Sequence, residues 1–584
     1  MPWNADDKSE YGDFAVSNEK RFDLFLLFGL AFTTCSIAAN STLSIDDYLE
    51  TGYVDAVLAS APFSKGVNFS GWFESSSAQR ISFSQYDEQD FANVKSLGAD
   101  VIRLPVRLHD MTNGEPDYTL DPFLLRFLDL AVDWAEKYQL YLIIDNHSFH
   151  PVDPTDDDIA NILLPVWAQI ARRYKDRPYV VYEILNEPHG ISDEQWGAIQ
   201  GMAVETIREH DQKTPIIVGG TDYNSYNKLS ALPHYADTNL IYTFHYYDPF
   251  LFTHQGASWT PPFEYISGIP FPADERRMPK VPSILRGTWA ENAMREYPQD
   301  SSPSKLLAVM DKVVAFSNER NVPVFCGEFG VYMRSSPPED RVLWYEFAAN
   351  ALDKRNIPRA SWDYYGGFGV FNFEGKGDFN SDLNTGVVCA MGFTPPVQTP
   401  RPAGPLRSGF TLFEDYPGRE ISSGFWGDED TDFSFYETNA AEGEFAIRWV
   451  NVGLYNAFFF AFRRNGDFSE LAEAGYILEF LARTERPVSF AVRFLNHENA
   501  ASIPWRMAFD IDENNLPPDG EWHRIRIPLR DMHEQGAWVG MEERWLNPRN
   551  EFTWENVDRL EFAAEHMALK GYSIWFDSIK ITGP

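Results

Sequence analysis

The residue pattern changes character once, near Thr394, and that change constrains the fold more than any other feature of the chain. Upstream of it, short apolar runs alternate with stretches of helical periodicity, and each run ends in polar or aromatic residues. Gly66-Val-Asn-Phe-Ser-Gly71, Val101-Ile-Arg-Leu-Pro-Val106, Leu140-Tyr-Leu-Ile-Ile144 and Val180 to Leu185 read as four strands; 215–220, 240–244, 323–327 and 360–364 read as four more. Between them lie amphipathic segments. Asp121-Pro122 opens one with an acidic N-cap and a proline in the first turn, and Leu124, Phe127, Leu128, Ala131, Trp134 and Ala135 form its apolar face. Eight strand–helix units predict an α/β fold, a (β/α)8 TIM barrel over residues 61–393. A doubly wound sheet would accept the same spacing, but eight regular units favour closure.

Downstream, Pro395, Pro396, Pro400, Pro402 and Pro405 read as a semi-rigid linker over 394–405. Beyond it the period drops to two. Phe445, Ile447 and Trp449 alternate with polar or small residues, as do Phe490, Val492 and Phe494, and Tyr572, Ile574 and Phe576. Residues 406–584 are therefore expected to form an all-β sandwich.

The formal net charge of −37 repels phosphate backbones and anionic membranes, which excludes nucleic acid as a partner and suits a neutral substrate. Lys20 and Arg21 precede an apolar run from Leu24 to Phe32 and then small residues through Ala39. This describes a secretory signal over 1–40, followed by a polar lead-in over 41–60. The expected location is extracellular or periplasmic, with no membrane contact after processing, and a monomer is expected. Cys35, Cys326 and Cys389 have no zinc spacing, and whether Cys326 meets Cys389 stays open. Asp145 and His150 flank His147 without a third ligand at metal-binding spacing.

Chemistry concentrates at strand ends. Glu187, in Asn186-Glu187-Pro188, closes the fourth predicted strand, and Glu328 closes the seventh. In a barrel both carboxylates reach the C-terminal face, where active sites lie. Two facing carboxylates at about 5 Å are what retaining glycoside hydrolysis requires.

The residues around them resemble glycoside hydrolase family 5, the cellulase family, over roughly residues 61 to 394. The resemblance rests on Arg103 in Ile-Arg-Leu-Pro, His147 in Asp-Asn-His, the Asn186-Glu187 pair, His245 and Tyr247 in His-Tyr-Tyr, Glu328, and Trp362. It implies that Glu187 is the acid/base and Glu328 the nucleophile. Arg103 and Tyr247 would hydrogen-bond Glu328, and Asn186 would hold the sugar 2-hydroxyl. His147 and His245 would orient substrate and carboxylates, and Trp362 would lie under the sugar at the cleavage point. Trp72, Trp259 and Trp289 fall in loops on the same side and are candidates for further sugar contacts or for loop packing.

The C-terminal segment resembles jelly-roll carbohydrate-binding modules, most visibly in Ile574-Trp-Phe-Asp-Ser-Ile-Lys580. That resemblance makes Asp577 and Glu414 candidates for a structural calcium; no cofactor is expected for catalysis. The implied activity is a secreted endo-β-1,4-glucanase acting on β-glucan. A β-mannanase, a xyloglucanase or a mixed-linkage glucanase would use the same catalytic set, and a non-catalytic polysaccharide-binding protein would need neither glutamate. The module could equally pack on the barrel and only stabilise it.

Overall fold

In the computed structural model, residues 54–373, 377–400, 404–418, 421–496, 503–539 and 544–584 are described. The expected secretory signal lies outside them. The chain forms two compact units that divide near residue 401.

In the first unit, eight parallel strands close into a barrel: β1 (Lys65–Asn68), β2 (Val101–Val106), β3 (Tyr141–Asn146), β4 (Val180–Glu183), β5 (Ile216–Gly219), β6 (Leu240–Tyr246), β7 (Val324–Phe329) and β8 (Arg359–Ser361). Closure is made by β1 against β8, with Gly66 opposite Ala360. The helices follow the predicted pattern. The one at Pro122–Tyr138 begins as expected, with Asp121 accepting from the Phe123 amide at 2.7 Å, and ends at Gln139 in the left-handed conformation.

A layer of apolar side chains plugs the N-terminal end of the barrel. Phe63, Val101, Ile143, Val181, Ile217, Ile241, Phe325 and Ala360 supply it, one from each strand or its approach. On β2, β3, β4 and β6, residues two positions further along point the same way, so Arg103, Asp145, Glu183 and Thr243 also face inward. On β7 simple alternation would turn Glu328 outward. A register shift against β6 pairs Phe244 with Cys326 and His245 with Glu328, and this bulge brings the carboxylate back inside. Gly327 makes room for it: a Cβ there would lie 2.8 Å from Thr243 Oγ1 and 3.3 Å from His245 Nε2.

The structure adds detail that the sequence pattern did not hold. The long connection after β6 contains a helix, Trp289–Asp300, that its mixed sequence did not announce. The proline-rich stretch is tied to the barrel unit at both ends of its first half, by Thr394 N to Leu97 O and Thr399 N to Asn380 O. Cys389 is disulfide-bonded, whereas Cys326 is a free, buried thiol, so the two do not pair.

The second unit is a two-sheet β-sandwich, as its period-two pattern predicts. Its strands are β9 (Phe410–Phe413), β10 (Ile421–Trp426), β11 (Asp432–Glu437), β12 (Ala446–Val452), β13 (Ala457–Gly466), β14 (Ile477–Thr484), β15 (Phe490–Asn496), β16 (Trp505–Ile511), β17 (His523–Pro528), β18 (His533–Val539), β19 (Arg544–Leu546), β20 (Val557–Ala563) and β21 (Leu569–Thr582). Among the described residues one sheet runs β10-β13-β20-β15-β16-β18-β19 and the other β11-β12-β21-β14-β17, with β9 on β21. Phe458, Phe562 and Phe576 meet at centroid distances of 4.6 to 5.0 Å between the sheets, which is where the alternating apolar residues go. No helix among the described residues is long and apolar enough to cross a membrane.

Candidate active site

Arg103 is the hub on which the strand ends are assembled. It is fully buried on β2, and all five of its N–H groups have acceptors. Nε and Nη2 grip Glu183 at 2.7 and 2.9 Å in a two-point fork. Nη2 also donates to Asn186 Oδ1 at 2.8 Å, while Nη1 donates to Asn68 at 3.0 Å and to Glu328 Oε1 at 2.8 Å. Asp145 lies 3.0 Å from Nη2. Burial disfavours the guanidinium charge, but Asp145, Glu183 and Glu328 more than compensate and hold the group protonated.

Glu328 accepts a second hydrogen bond, at 2.8 Å from the Tyr247 hydroxyl. His245 stands between the two glutamates, with Nδ1 2.7 Å from Glu187 Oε1 and 3.5 Å from Glu328 Oε2. Burial drops His245 to a pKa of about 4, against the pull of Glu328, so the ring is neutral at pH 7. Glu187 has a backbone φ of 47°, in the left-handed region. Burial raises Glu187 to about 7, opposed by the charges of His147, Arg103 and His189. His147 behaves oppositely. Burial alone would depress it, yet Asp145, 2.7 Å from Nδ1, and Glu74 beyond raise it to about 9.

Aromatic rings close one side of the site. Trp362, directly after β8, stacks on His147 with centroids 5.6 Å apart and planes 15° from parallel. Asn186 Nδ2 is 3.4 Å from His147 Nε2. Arg103, His147, Asn186, Glu187, His245, Tyr247, Glu328 and Trp362 thus form one connected constellation at the C-terminal end of the barrel.

The loop tryptophans separate. Trp72 does not line the cleft: it is only 1% exposed, donates from Nε1 to Phe83 O at 2.8 Å, and stacks on Phe83 and Trp134. Its apolar neighbours make it core. Trp259 is 47% exposed and packs on Tyr332 at 4.9 Å, next to the Phe368 and His254 rings that touch Tyr247. Trp289 is exposed too, but rests on Phe263, one ring further out. His150 pairs with Asp153 at the surface, away from Asp145.

Glu183 and Asn68 are site residues that sequence reasoning passed over. The signal for Glu183 was present, since it is the one charge in the apolar run Val180 to Leu185. Burial raises its pKa to about 7 while the Arg103 fork opposes the shift.

Glu187, His245 and Glu328 are, among the described residues, the one group of three whose donor atoms, all within 4.8 Å of one another, could close on a metal ion. The Arg103 guanidinium, 2.8 Å from Glu328, already places a positive charge there and disfavours a second. In the sandwich, Asp577 Oδ2 accepts from the amides of Ala441 and Glu442 at 2.7 and 2.9 Å, and Glu414 is exposed after β9. Neither belongs to a three-ligand group among the described residues.

Residues 62–367, just over half of the chain, match the model of the cellulases, glycosyl hydrolase family 5, and residues 425–583 match carbohydrate binding domain 30. Endoglucanase 3 of Fibrobacter succinogenes is 29% identical over 56% of this chain and 52% of its own length. The match therefore spans about half of that relative. Endoglucanase C of Acetivibrio thermocellus is 27% identical over 52% of this chain and 91% of its own. Among solved structures, endoglucanase Cel5A of Thermotoga maritima shares 26% identity over 56% of this chain and 96% of its own, with a TM-score of 0.46. With its strand-end residues assembled and over half of its length matched, the chain belongs to glycosyl hydrolase family 5.

Proposed function

We propose that the protein is an exported endo-β-1,4-glucanase that cleaves β-glucan with retention of anomeric configuration. The observation that carries this reading is the approach of Glu187 and Glu328 to within 4.8 Å across His245. That separation leaves no room for a water to attack from the far side, as inversion needs, and suits direct attack by a carboxylate. Glu328 is the nucleophile, held by Arg103 and Tyr247. Glu187, with a pKa near 7, keeps its proton below neutrality and gives it to the leaving oxygen. After the first product departs, the Glu187 carboxylate takes a proton from water, which attacks the glycosyl-enzyme and frees Glu328. The names of the relatives support a glucan substrate.

We also assign glycan binding to the exposed face of the seven-stranded sheet. Trp426 packs on Phe459 at 5.5 Å, and Arg559 lies 4.7 Å over that ring. Ion pairs continue through Glu561, Arg493, Glu565 and Arg506 to Trp545, which pairs across strands with Trp538. Exposed tryptophans thus bracket a row of largely buried ion pairs that fixes their place, and the rings themselves form a surface suited to sugar faces.

Reducing-sugar release from carboxymethylcellulose, barley β-glucan, xyloglucan and glucomannan tests the enzymatic reading. Release from the first two, lost about a thousandfold in Glu328→Gln, is expected. Best release from glucomannan or xyloglucan would keep the mechanism and replace the substrate. Binding without release from any of them would refute the enzyme.

A further inference from the structure

Glu183 is only 1% exposed, and both of its oxygens accept from one guanidinium, at 2.7 Å from Arg103 Nε and 2.9 Å from Nη2. On β4 it lies opposite Asp145 of β3 on one side and Ile217 of β5 on the other. A two-point fork fixes the plane of a guanidinium, whereas a single contact leaves it free to swivel. Glu328 and Asn186 each make a single contact with Arg103: Nη1 reaches Glu328 Oε1 and Nη2 reaches Asn186 Oδ1, both at 2.8 Å. Asp145 does not supply a second fork. It meets Nη2 through Oδ2 at 3.0 Å, and the same oxygen faces His147 Nδ1 at 2.7 Å. The aim of the guanidinium is therefore set from Glu183. For Asn186 the consequence is chemical as well as geometric. A guanidinium can only donate, so it claims the amide oxygen and leaves Nδ2, a donor, on the His147 side, 3.4 Å from Nε2.

We propose that Glu183 is a positioning residue: it aims Arg103, and through that one side chain it sets both the nucleophile Glu328 and the Asn186 amide that meets the sugar 2-hydroxyl. Glu183 itself hydrogen-bonds neither of them; its partner is Arg103. Loss of the fork frees the guanidinium to pivot toward the carboxylates that remain, Asp145 and Glu328, and away from the Asn186 oxygen. Recognition at C2 then weakens, and with it a contact that strengthens at the transition state. The assignment rests on the glucanase reading and adds the group that couples the attacking carboxylate to the 2-hydroxyl.

The test compares two donors that lose the same fluoride and differ only at C2: β-cellobiosyl fluoride and its 2-deoxy-2-fluoro analogue. Fluoride release gives kcat/KM for the first and the second-order inactivation constant for the second. Their ratio reports the 2-hydroxyl contact, because the electronic effect of the C2 fluorine is common to every variant. Glu183→Gln keeps the size of the side chain but loses its charge and one acceptor, and the ratio should fall about tenfold or more from wild type. Glu183→Asp keeps the buried charge, so it serves even where the glutamine variant does not fold. It draws the carboxylate back by one methylene, and the ratio should fall in the same sense. In an Asn186→Ala background, adding Glu183→Gln should move the ratio by less than about twofold, since the contact is already gone. An unchanged ratio in the Glu183 variants that fold, with both rates intact or falling together, would overturn the proposal. So would an undiminished effect of Glu183→Gln in the Asn186→Ala background. Inactivity of the wild-type protein on both donors would instead overturn the glucanase reading beneath it.

Discussion

Glu187 and Glu328 carry the same side chain and differ only in what surrounds them. Glu328 receives hydrogen bonds from an arginine and a phenol, partners that suit a carboxylate anion. Glu187 faces a neutral imidazole, and burial lifts its pKa from 4.5 to about 7. A nearby cation stabilises the carboxylate form and so lowers this value; removing one must raise it. The protonated form of Glu187 starts the reaction, so kcat/KM on barley β-glucan should fall tenfold per unit above a limb near pH 7. His147 is charged there and is the first of the cations that hold Glu187 down. His147→Asn should therefore move the basic limb to higher pH in a stopped assay across pH 5 to 9. A limb that stays in place or moves lower would contradict this electrostatic assignment.

At the scale of strands and sheets, alternation explains which residues face the barrel interior and also where it fails. Arg103, Asp145 and Glu183 lie two residues beyond the apolar plug on β2, β3 and β4, and their inward direction follows from the two-residue period. Glu328 breaks the rule, and a bulge at Gly327 restores it. A sequence pattern holds no register, so that bulge was invisible until β6 and β7 were paired. Trp72 failed for a related reason. Its place just beyond β1 was legible, but the Phe83 and Trp134 rings that bury it come from separate segments. The sandwich shows the same limit. Its period-two runs were plain in the sequence, whereas the alignment of Trp426, Trp538 and Trp545 along one sheet depends on strand order. Replacing Trp426 and Trp545 together by Ala should abolish retardation of the full chain in gels containing hydroxyethylcellulose. Undiminished retardation would move the binding surface elsewhere.

For the molecule as a whole, the sequence pattern was sufficient for the two architectures and for the position of two glutamates at strand ends. Glu187 and Glu328 were identifiable because each closes a strand that its own apolar run defines, whereas Arg103, His147, Asn186, His245, Tyr247 and Trp362 were named by the family resemblance. The groups that support them, Asn68, Glu183, His189 and Asn224, act through contacts between strands and loops distant in the chain. Such contacts leave little trace in one sequence. The central claim is that Glu328 attacks the sugar and carries it covalently. The measurement is mass spectrometry of the protein treated with 2-deoxy-2-fluoro-β-cellobiosyl fluoride, whose C2 fluorine slows breakdown of the glycosyl-enzyme. One fluorocellobiosyl unit on the peptide containing Glu328, absent from Glu328→Gln, is the expected result. Turnover with no adduct, or an adduct on Glu187, would contradict it.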